Sequence, residues 1–224
     1  GYKDFVDSRI IENNKFFEIN LVDTEKLNKI FEDTKPEYVY HFAAYAAEGL
    51  SPFIRNFNYT SNIICSANVI NACIKHNVTK IIFTSSMAVY GVGNPPFKED
   101  QRPDPADPYG IAKYAIEMDL KLANEQFGLQ YTIARPHNVV GIYQNIWDKY
   151  RNVIGIWTRR ILNGESICIF GDGTQKRAFS DIKFYMEPFE KLMTGFDGEV
   201  FNIGADHEYE LNTVAEIIQK VGAE

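Results

Sequence analysis

Lys80-Ile81-Ile82-Phe83-Thr84-Ser85 is a short apolar run ending in two hydroxyl residues, and its reading decides the fold. A run of this length without polar alternation predicts a strand buried on both faces. Before it, residues 62–75 carry apolar positions at helical spacing (Ile63, Ala67, Ile70, Ile74), and Asn77 breaks that pattern. Earlier still, Glu37-Tyr38-Val39-Tyr40-His41-Phe42-Ala43-Ala44 follows Lys35-Pro36 and reads as another buried strand. After it, Asp107 is a good N-cap and Pro108 suits the first helical position, where its missing N–H would be unpaired anyway. That helix is predicted to run to about Phe127, with Gly128 as its stop. Gln130-Tyr131-Thr132-Ile133-Ala134-Arg135 and Glu199-Val200-Phe201-Asn202-Ile203 complete the strands. Such alternation predicts an α/β fold, a doubly wound parallel sheet with helices on both faces.

From Val140 to Gly173 the texture changes. Tyr143, Trp147, Lys149, Tyr150, Arg151, Trp157, Arg159 and Arg160 mix aromatic and basic character, and Ile167-Cys168-Ile169-Phe170-Gly171-Asp172-Gly173 reads as a strand and tight turn. The expected organisation is a main domain over 1–139 and a small C-terminal lobe over 140–224, with 177–204 returning to the sheet.

The 224 residues suffice for a sizeable core. Lys and Arg number 23 against 30 Asp and Glu, a net charge of −7, which argues against nucleic acid or an anionic membrane as the main partner. No apolar run approaches the roughly 18 residues needed to span a bilayer. Cys65, Cys73 and Cys168 lack metal-ligand spacing and read as small core residues in a reducing cytoplasm. His41, His76, His137 and His207 are scattered, so no metal is expected.

Ligands of open α/β sheets sit beyond the carboxyl ends of the strands. The segments there are Ala43-Ala44-Tyr45-Ala46-Ala47, Ser85-Ser86-Met87-Ala88 and Pro136-His137-Asn138. Their small residues either admit a flat ligand to the backbone or simply turn the chain. On the helix that opens at Asp107, Tyr109 and Lys113 lie one turn apart on one face. An ammonium beside a phenol favours the phenolate, which takes a proton from an alcohol, the acid–base half of a hydride transfer. The same spacing also suits a buried Tyr beside a solvated Lys.

In order along the chain, these segments and the later Gly171-Asp172-Gly173-Thr174-Gln175-Lys176-Arg177 stretch resemble the extended short-chain dehydrogenase/reductase family. Within it the likeness is to nucleotide-sugar epimerases of the UDP-glucose 4-epimerase type. The resemblance implies a Rossmann-type sheet, bound NAD, a UDP-sugar substrate and a small substrate lobe, with 1–139 as the NAD-binding part. It implies that Ser86, Tyr109 and Lys113 are catalytic. Ser86 would bond the reacting hydroxyl, Tyr109 act as base, and Lys113 hold the nicotinamide ribose. Asn20, Leu21, Phe42, Ala43, Ala44, Tyr45, Asn62, Thr84 and Pro136 fall at cofactor positions, although Asn62 is also a plausible N-cap of its own helix. Ser86, Met87, Asn138, Asn152, Val153 and Arg177 fall at substrate positions, Arg177 as a fork on the diphosphate. A homodimer through a four-helix bundle, using helices near 53–75 and 108–127, follows from the same resemblance.

The sequence departs from the family's usual pattern at the glycine loop, at Asn20 and at Ser180-Asp181-Ile182, and from its dehydratase branch at Met87 and Ala88. Gly-x-x-Gly-x-x-Gly is absent, and with it the acidic residue that separates NAD from NADP, so the chain is expected to be a fragment lacking the first strand and glycine loop. Asn20 stands where an Asp usually bonds the adenine amine, and its amide oxygen also accepts hydrogen bonds. Sugar 4,6-dehydratases carry Asp-Glu directly after the catalytic hydroxyl, but Met87 and Ala88 stand there. That points to a nucleotide-sugar 4-epimerase. A dehydratase, an NADP-dependent reductase and a non-catalytic dinucleotide sensor are the alternatives.

Overall fold

The computed structural model describes residues 14–93, 95–148, 150 and 152–222. Lys149 and Arg151 lie outside the described residues. In chain order the main elements are α1 (Thr24–Thr34), β1 (Tyr38–His41), α2 (Arg55–Tyr59), α3 (Cys65–Lys75), β2 (Lys80–Thr84), α4 (Pro108–Phe127), β3 (Gln130–Pro136) and β4 (Val139–Val140). They continue with α5 (Val153–Leu162), β5 (Lys176–Ala178), β6 (Ser180–Asp181), α6 (Lys183–Met193), β7 (Val200–Ile203), β8 (Glu208–Glu210) and α7 (Leu211–Gly222).

The central sheet runs β1-β2-β3-β7, parallel throughout, with Val39 opposite Ile81, Ile81 opposite Tyr131, and Ile133 opposite Val200. Side chains of β2 alternate between two cores, as strand geometry requires. Ile81 and Phe83 join Leu27, Val69, Ile70, Ile116 and Leu120 beneath α1, α3 and α4. Ile82 joins Tyr185, Phe189 and Leu192 of α6 on the opposite face. Two short pairs flank the sheet, β4 with β6 in parallel and β5 with β8 antiparallel. A third core gathers Trp157 of α5 with Val214 and Ala215 of α7.

The helix α4 forms as its sequence predicts. The Asp107 carboxylate accepts from the backbone N–H groups of Tyr109 (2.8 Å) and Gly110 (3.1 Å), and Gly128 closes the other end at φ 76°. Three expectations change. The first strand is confined to Tyr38–His41. The helix expected over 62–75 begins at Arg55 and passes through a π turn at Thr60–Ile64. Asn62 is therefore inside a continuous helix and is no N-cap. Residues 167–169 form no strand. The Cys168 carbonyl instead accepts from the Trp157 indole N–H at 3.0 Å, while Ile167 and Ile169 pack on the third core.

Candidate active site

The carboxyl ends of β1, β2 and β3 converge on the first turn of α4. Ser86 leaves β2 in extended conformation and caps the 3₁₀ turn Met87–Tyr90, its hydroxyl oxygen accepting from Ala88 N–H at 3.1 Å. Among the described residues no acceptor takes its hydroxyl hydrogen. This turn lies directly against α4. A Cβ on Gly110 would fall 2.5 Å from the Ala88 carbonyl oxygen, so only glycine beside Tyr109 allows this approach. Met87 and Ala88 are partly exposed beside Ser86 and offer no acid or base.

Tyr109 is buried, and its backbone N–H is shared between Asp107 and the hydroxyl of Ser51, 3.2 Å away. One turn on, the Lys113 ammonium is 5.9 Å from the Tyr109 ring centre and 4.8 Å from that of Phe83. It donates one hydrogen to the Thr84 carbonyl at 2.7 Å. Burial holds the Lys113 ammonium down to about 7 from its usual 10.5, and the Glu117 carboxylate opposes that shift. Below it, His41 contacts the Ser66 hydroxyl at 2.8 Å. Burial, then the charge of Lys113, brings His41 down to about 4, so it sits neutral beneath the site.

A cavity of about 460 Å³ opens on the α6 face at the ends of β1, β2 and β3, walled by Tyr40, Phe42, Thr84, Pro136, Tyr185 and Phe189. The Thr84 hydroxyl is buried on its edge with no partner among the described residues. A mainly apolar slot with an unpartnered hydroxyl on its edge fits a flat ring such as that of a nicotinamide. Of the expected cofactor positions, Phe42, Thr84 and Pro136 are brought together on this cavity, whereas Lys113 lies on the α4 face, over Phe83.

Other expected positions make these contacts within the protein. Asn62 is buried; its amide oxygen accepts from Tyr45 N–H at 2.8 Å, and its amide nitrogen donates to the Tyr45 carbonyl (3.1 Å) and to Asn58 (2.8 Å). Asn62 thus holds the loop containing Ala43, Ala44 and Tyr45, leaving its amide no spare nitrogen hydrogen. Asn20 folds its side chain back onto Val22 N–H at 3.2 Å, and the Leu21 carbonyl accepts from Asn68. Both lie in the turn before α1.

On the substrate side, Asn138 adopts a left-handed conformation (φ 40°) and donates to the Ala178 carbonyl at 3.0 Å, clamping β5 beside the end of β3. Arg177 of β5 is exposed, and its charge is close enough to hold His137 below its ordinary value, after burial. Burial and Asp107 push the Glu48 carboxyl up, and Arg177 opposes this. Asn152 caps α5, accepting from Gly155 N–H at 3.0 Å and donating to the Val139 carbonyl at 3.1 Å. That leaves the first turn of α5, starting at Val153, tied to β4.

The sequence reading missed Glu117, Arg135 and Tyr90. Glu117 Oε1 accepts from the Ser85 hydroxyl (2.5 Å) and Arg135 Nε (2.9 Å), and Oε2 accepts from Arg135 Nη2 (2.6 Å). A signal was present, because Tyr109, Lys113 and Glu117 recur every four residues on one helix face.

A family model described as the NAD dependent epimerase/dehydratase family matches residues 3–204. The chain belongs to this family. Among its members, the chain is similar to a putative UDP-glucose 4-epimerase of Methanocaldococcus jannaschii, with 34% identity over 87% of this chain and 63% of that protein. It is 31% identical to a mouse dTDP-D-glucose 4,6-dehydratase over 94% of this chain and 59% of the relative. The chain thus spans about 60% of the length of these curated relatives. The crystal structure of a Thermotoga maritima UDP-glucose 4-epimerase with UDP-glucose superposes with a TM-score of 0.91 at 33% identity, covering 100% of this chain and 72% of that one. The α/β fold with a parallel Rossmann-type sheet is shared with this family, whose cofactor is NAD.

Among the described residues, no helix is long and apolar enough to cross a membrane, and no group of three or more His, Cys, Asp or Glu is placed to hold a metal ion.

Proposed function

We propose that the protein is a nucleotide-sugar 4-epimerase that interconverts UDP-hexoses, or their N-acetyl forms, through a 4-keto sugar. The observation that carries this reading is the meeting of Ser86, Tyr109 and Lys113 at the strand ends with Met87 and Ala88 beside them. Bound NAD supplies the acceptor and donor of the C4 hydride. Tyr109 takes the proton of the 4-hydroxyl and later returns it, and Ser86 donates its free hydrogen to the same oxygen. Lys113 holds the ribose and places a positive charge beside the phenolate. Arg177 grips the diphosphate, while the α5 turn at Asn152 and Val153 offers backbone N–H groups to it. Looser contacts to the hexose let the keto sugar turn over between hydride transfers.

Dehydration requires an acid and a base at C5 and C6. Asp107 is committed to capping α4, and Glu117 to Ser85 and Arg135. Glu48 is the observation that favours this second reading, because its carboxyl is pushed toward the protonated form near Asp107. Incubation of the full-length protein with UDP-glucose, UDP-galactose, their N-acetyl forms and dTDP-glucose, followed by NMR of the products, separates the two. Inverted C4 stereochemistry is expected. A 4-keto-6-deoxy product would establish dehydration, and no product from any donor would sink both readings.

The lobe over 140–224 is proposed to carry most substrate contacts. Pairing of two copies through α2, α3 and α4 is supported by exposed Phe57, Ile64, Ile111, Met118 and Leu122. Light scattering should give a dimer mass for the full-length protein; a monomer at micromolar concentration would remove that part.

A further inference from the structure

Behind the reacting groups lies a second buried cluster, built from five separate segments. Glu117 is its centre, one turn beyond Lys113 on α4, and its side chain is only 5% exposed. The carboxylate is shared by the Ser85 hydroxyl just after β2 and by the Nε and Nη2 edge of the Arg135 guanidinium on β3. Arg135 also donates from Nη1 to the Tyr90 hydroxyl at 2.5 Å, with its guanidinium carbon 4.8 Å from the Tyr90 ring centre. The Tyr90 hydroxyl in turn donates to Asn202 Oδ1 of β7 at 2.9 Å. Asn202 donates to the Phe97 carbonyl at 3.1 Å, and Phe97 stacks on Tyr90.

Each member adjoins a segment that delivers a reacting or binding group. Ser85 precedes Ser86, Glu117 follows Tyr109 and Lys113 on the same helix, and Arg135 precedes Pro136, His137 and Asn138. Tyr90 closes the turn that begins with Ser86, and Phe97 lies on the loop leading to Asp107. Replacing a buried ion pair by apolar groups is often neutral or favourable for stability. Stability alone therefore gives weak reason for this cluster, whereas fixed hydrogen-bond geometry gives a strong one.

We propose that Glu117 and Arg135 are positioning residues, which lock the strand ends carrying Ser86 and Pro136 to the face of α4 that carries Tyr109 and Lys113. They touch neither substrate nor cofactor. The pair acts through Ser85 and Tyr90, whose hydroxyls set where the Ser86 turn sits against Gly110.

The activity arm of the test rests on the epimerase reading; the binding arm does not. Full-length wild type, Glu117→Met/Arg135→Met and Ser85→Ala are compared by kcat, KM, melting temperature and NADH affinity from nicotinamide fluorescence. The double variant is expected to keep its melting temperature within a few degrees. Its kcat should fall by about 100-fold, because small misplacements of reacting groups cost that much, while KM stays within about twofold. Ser85→Ala keeps the ion pair and cuts the tether to β2, so a loss of about tenfold in kcat at unchanged melting temperature is expected. Wild-type kcat in a folded double variant, or losses that only follow the melting temperature, would overturn the proposal. If the double variant does not fold, Ser85→Ala decides by the same criteria. If wild type turns over no sugar, the epimerase reading fails and positioning is judged by binding: NADH affinity weakened about fivefold in Ser85→Ala supports it, and unchanged affinity ends it.

Discussion

The two faces of the central sheet are built to different degrees of completion. Under α1, α3 and α4 the apolar side chains of β2 and β3 are sealed: Ile81, Phe83 and Leu120 have no exposed surface. On the other face α6 covers Ile82 and Ala134 but leaves Phe42 57% and Met186 56% exposed, with the cavity between α6 and the ends of β1, β2 and β3. The sealed face contributes stability through burial; the open face keeps unfilled volume next to Thr84 and Pro136. The helix α4 joins the two roles, its middle in the sealed core and its first turn at the site. Substitutions along it should therefore separate catalysis from stability.

The largest effect is expected at Tyr109. Tyr109→Phe retains the ring in its buried place and removes the proton acceptor. Its kcat on a UDP-hexose should drop about 10³-fold or more, within the range for loss of general acid–base catalysis, with little change in melting temperature. Retained turnover would take the base away from Tyr109. Next comes Leu120→Ala, three turns further along the same helix in the sealed core. It is expected to cost about 3 kcal/mol by urea unfolding, the lost burial plus the cavity left behind. A cost below about 1 kcal/mol would mean that this face is less tightly packed than its burial indicates.

What the sequence disclosed and what it hid follow from the range of the forces involved. The Asp107 cap, the Gly128 stop, the buried strand at Lys80–Thr84 and the Tyr109–Lys113 spacing obey rules that act within a few residues, and all four are found. The Glu117–Arg135 pair spans 18 positions and the Tyr90–Asn202 bond 112, so both depend on the register of β2, β3 and β7. No local pattern specifies that register. The segment Ile167–Ile169 misled because a short apolar run suits a strand and equally a coil whose carbonyl is taken by Trp157. Asn62 misled for a related reason: an Asn before an apolar periodic run looks like a cap, whereas here a π turn buries it against Tyr45.

A third, intermediate effect is set by pH. In the folded protein Lys113 loses its proton at about 7, against 10.5 as the usual value for the unfolded chain. Between those pH values the unfolded state binds more protons, so this group makes stability rise with pH through the window and contributes no slope below it. His41 shows the same sign lower down, between about 4 and 6.5, where falling pH removes stability. Urea midpoints of the cofactor-free protein from pH 6.5 to 9.5 should therefore climb relative to those of Lys113→Met. Parallel curves would mean that Lys113 keeps its charge when folded, and is better solvated than its burial indicates.

The smallest effect on stability is expected at Phe42, where the open face meets the cavity. Its ring stacks on Tyr40 with centres 5.8 Å apart and leans on Phe189 at 5.2 Å, yet more than half of it remains in contact with water. Truncation to Ala removes little buried area, so a cost of about 0.5 kcal/mol or less is expected, several-fold below Leu120→Ala. The same truncation widens one wall of the slot proposed for the nicotinamide ring. NADH affinity should then weaken more than stability does, by about fivefold, which corresponds to roughly 1 kcal/mol of lost contact. A Phe42→Ala protein that is markedly destabilised but binds NADH unchanged would reverse the assignment, making this face part of the structural core and leaving the cavity without a ligand role.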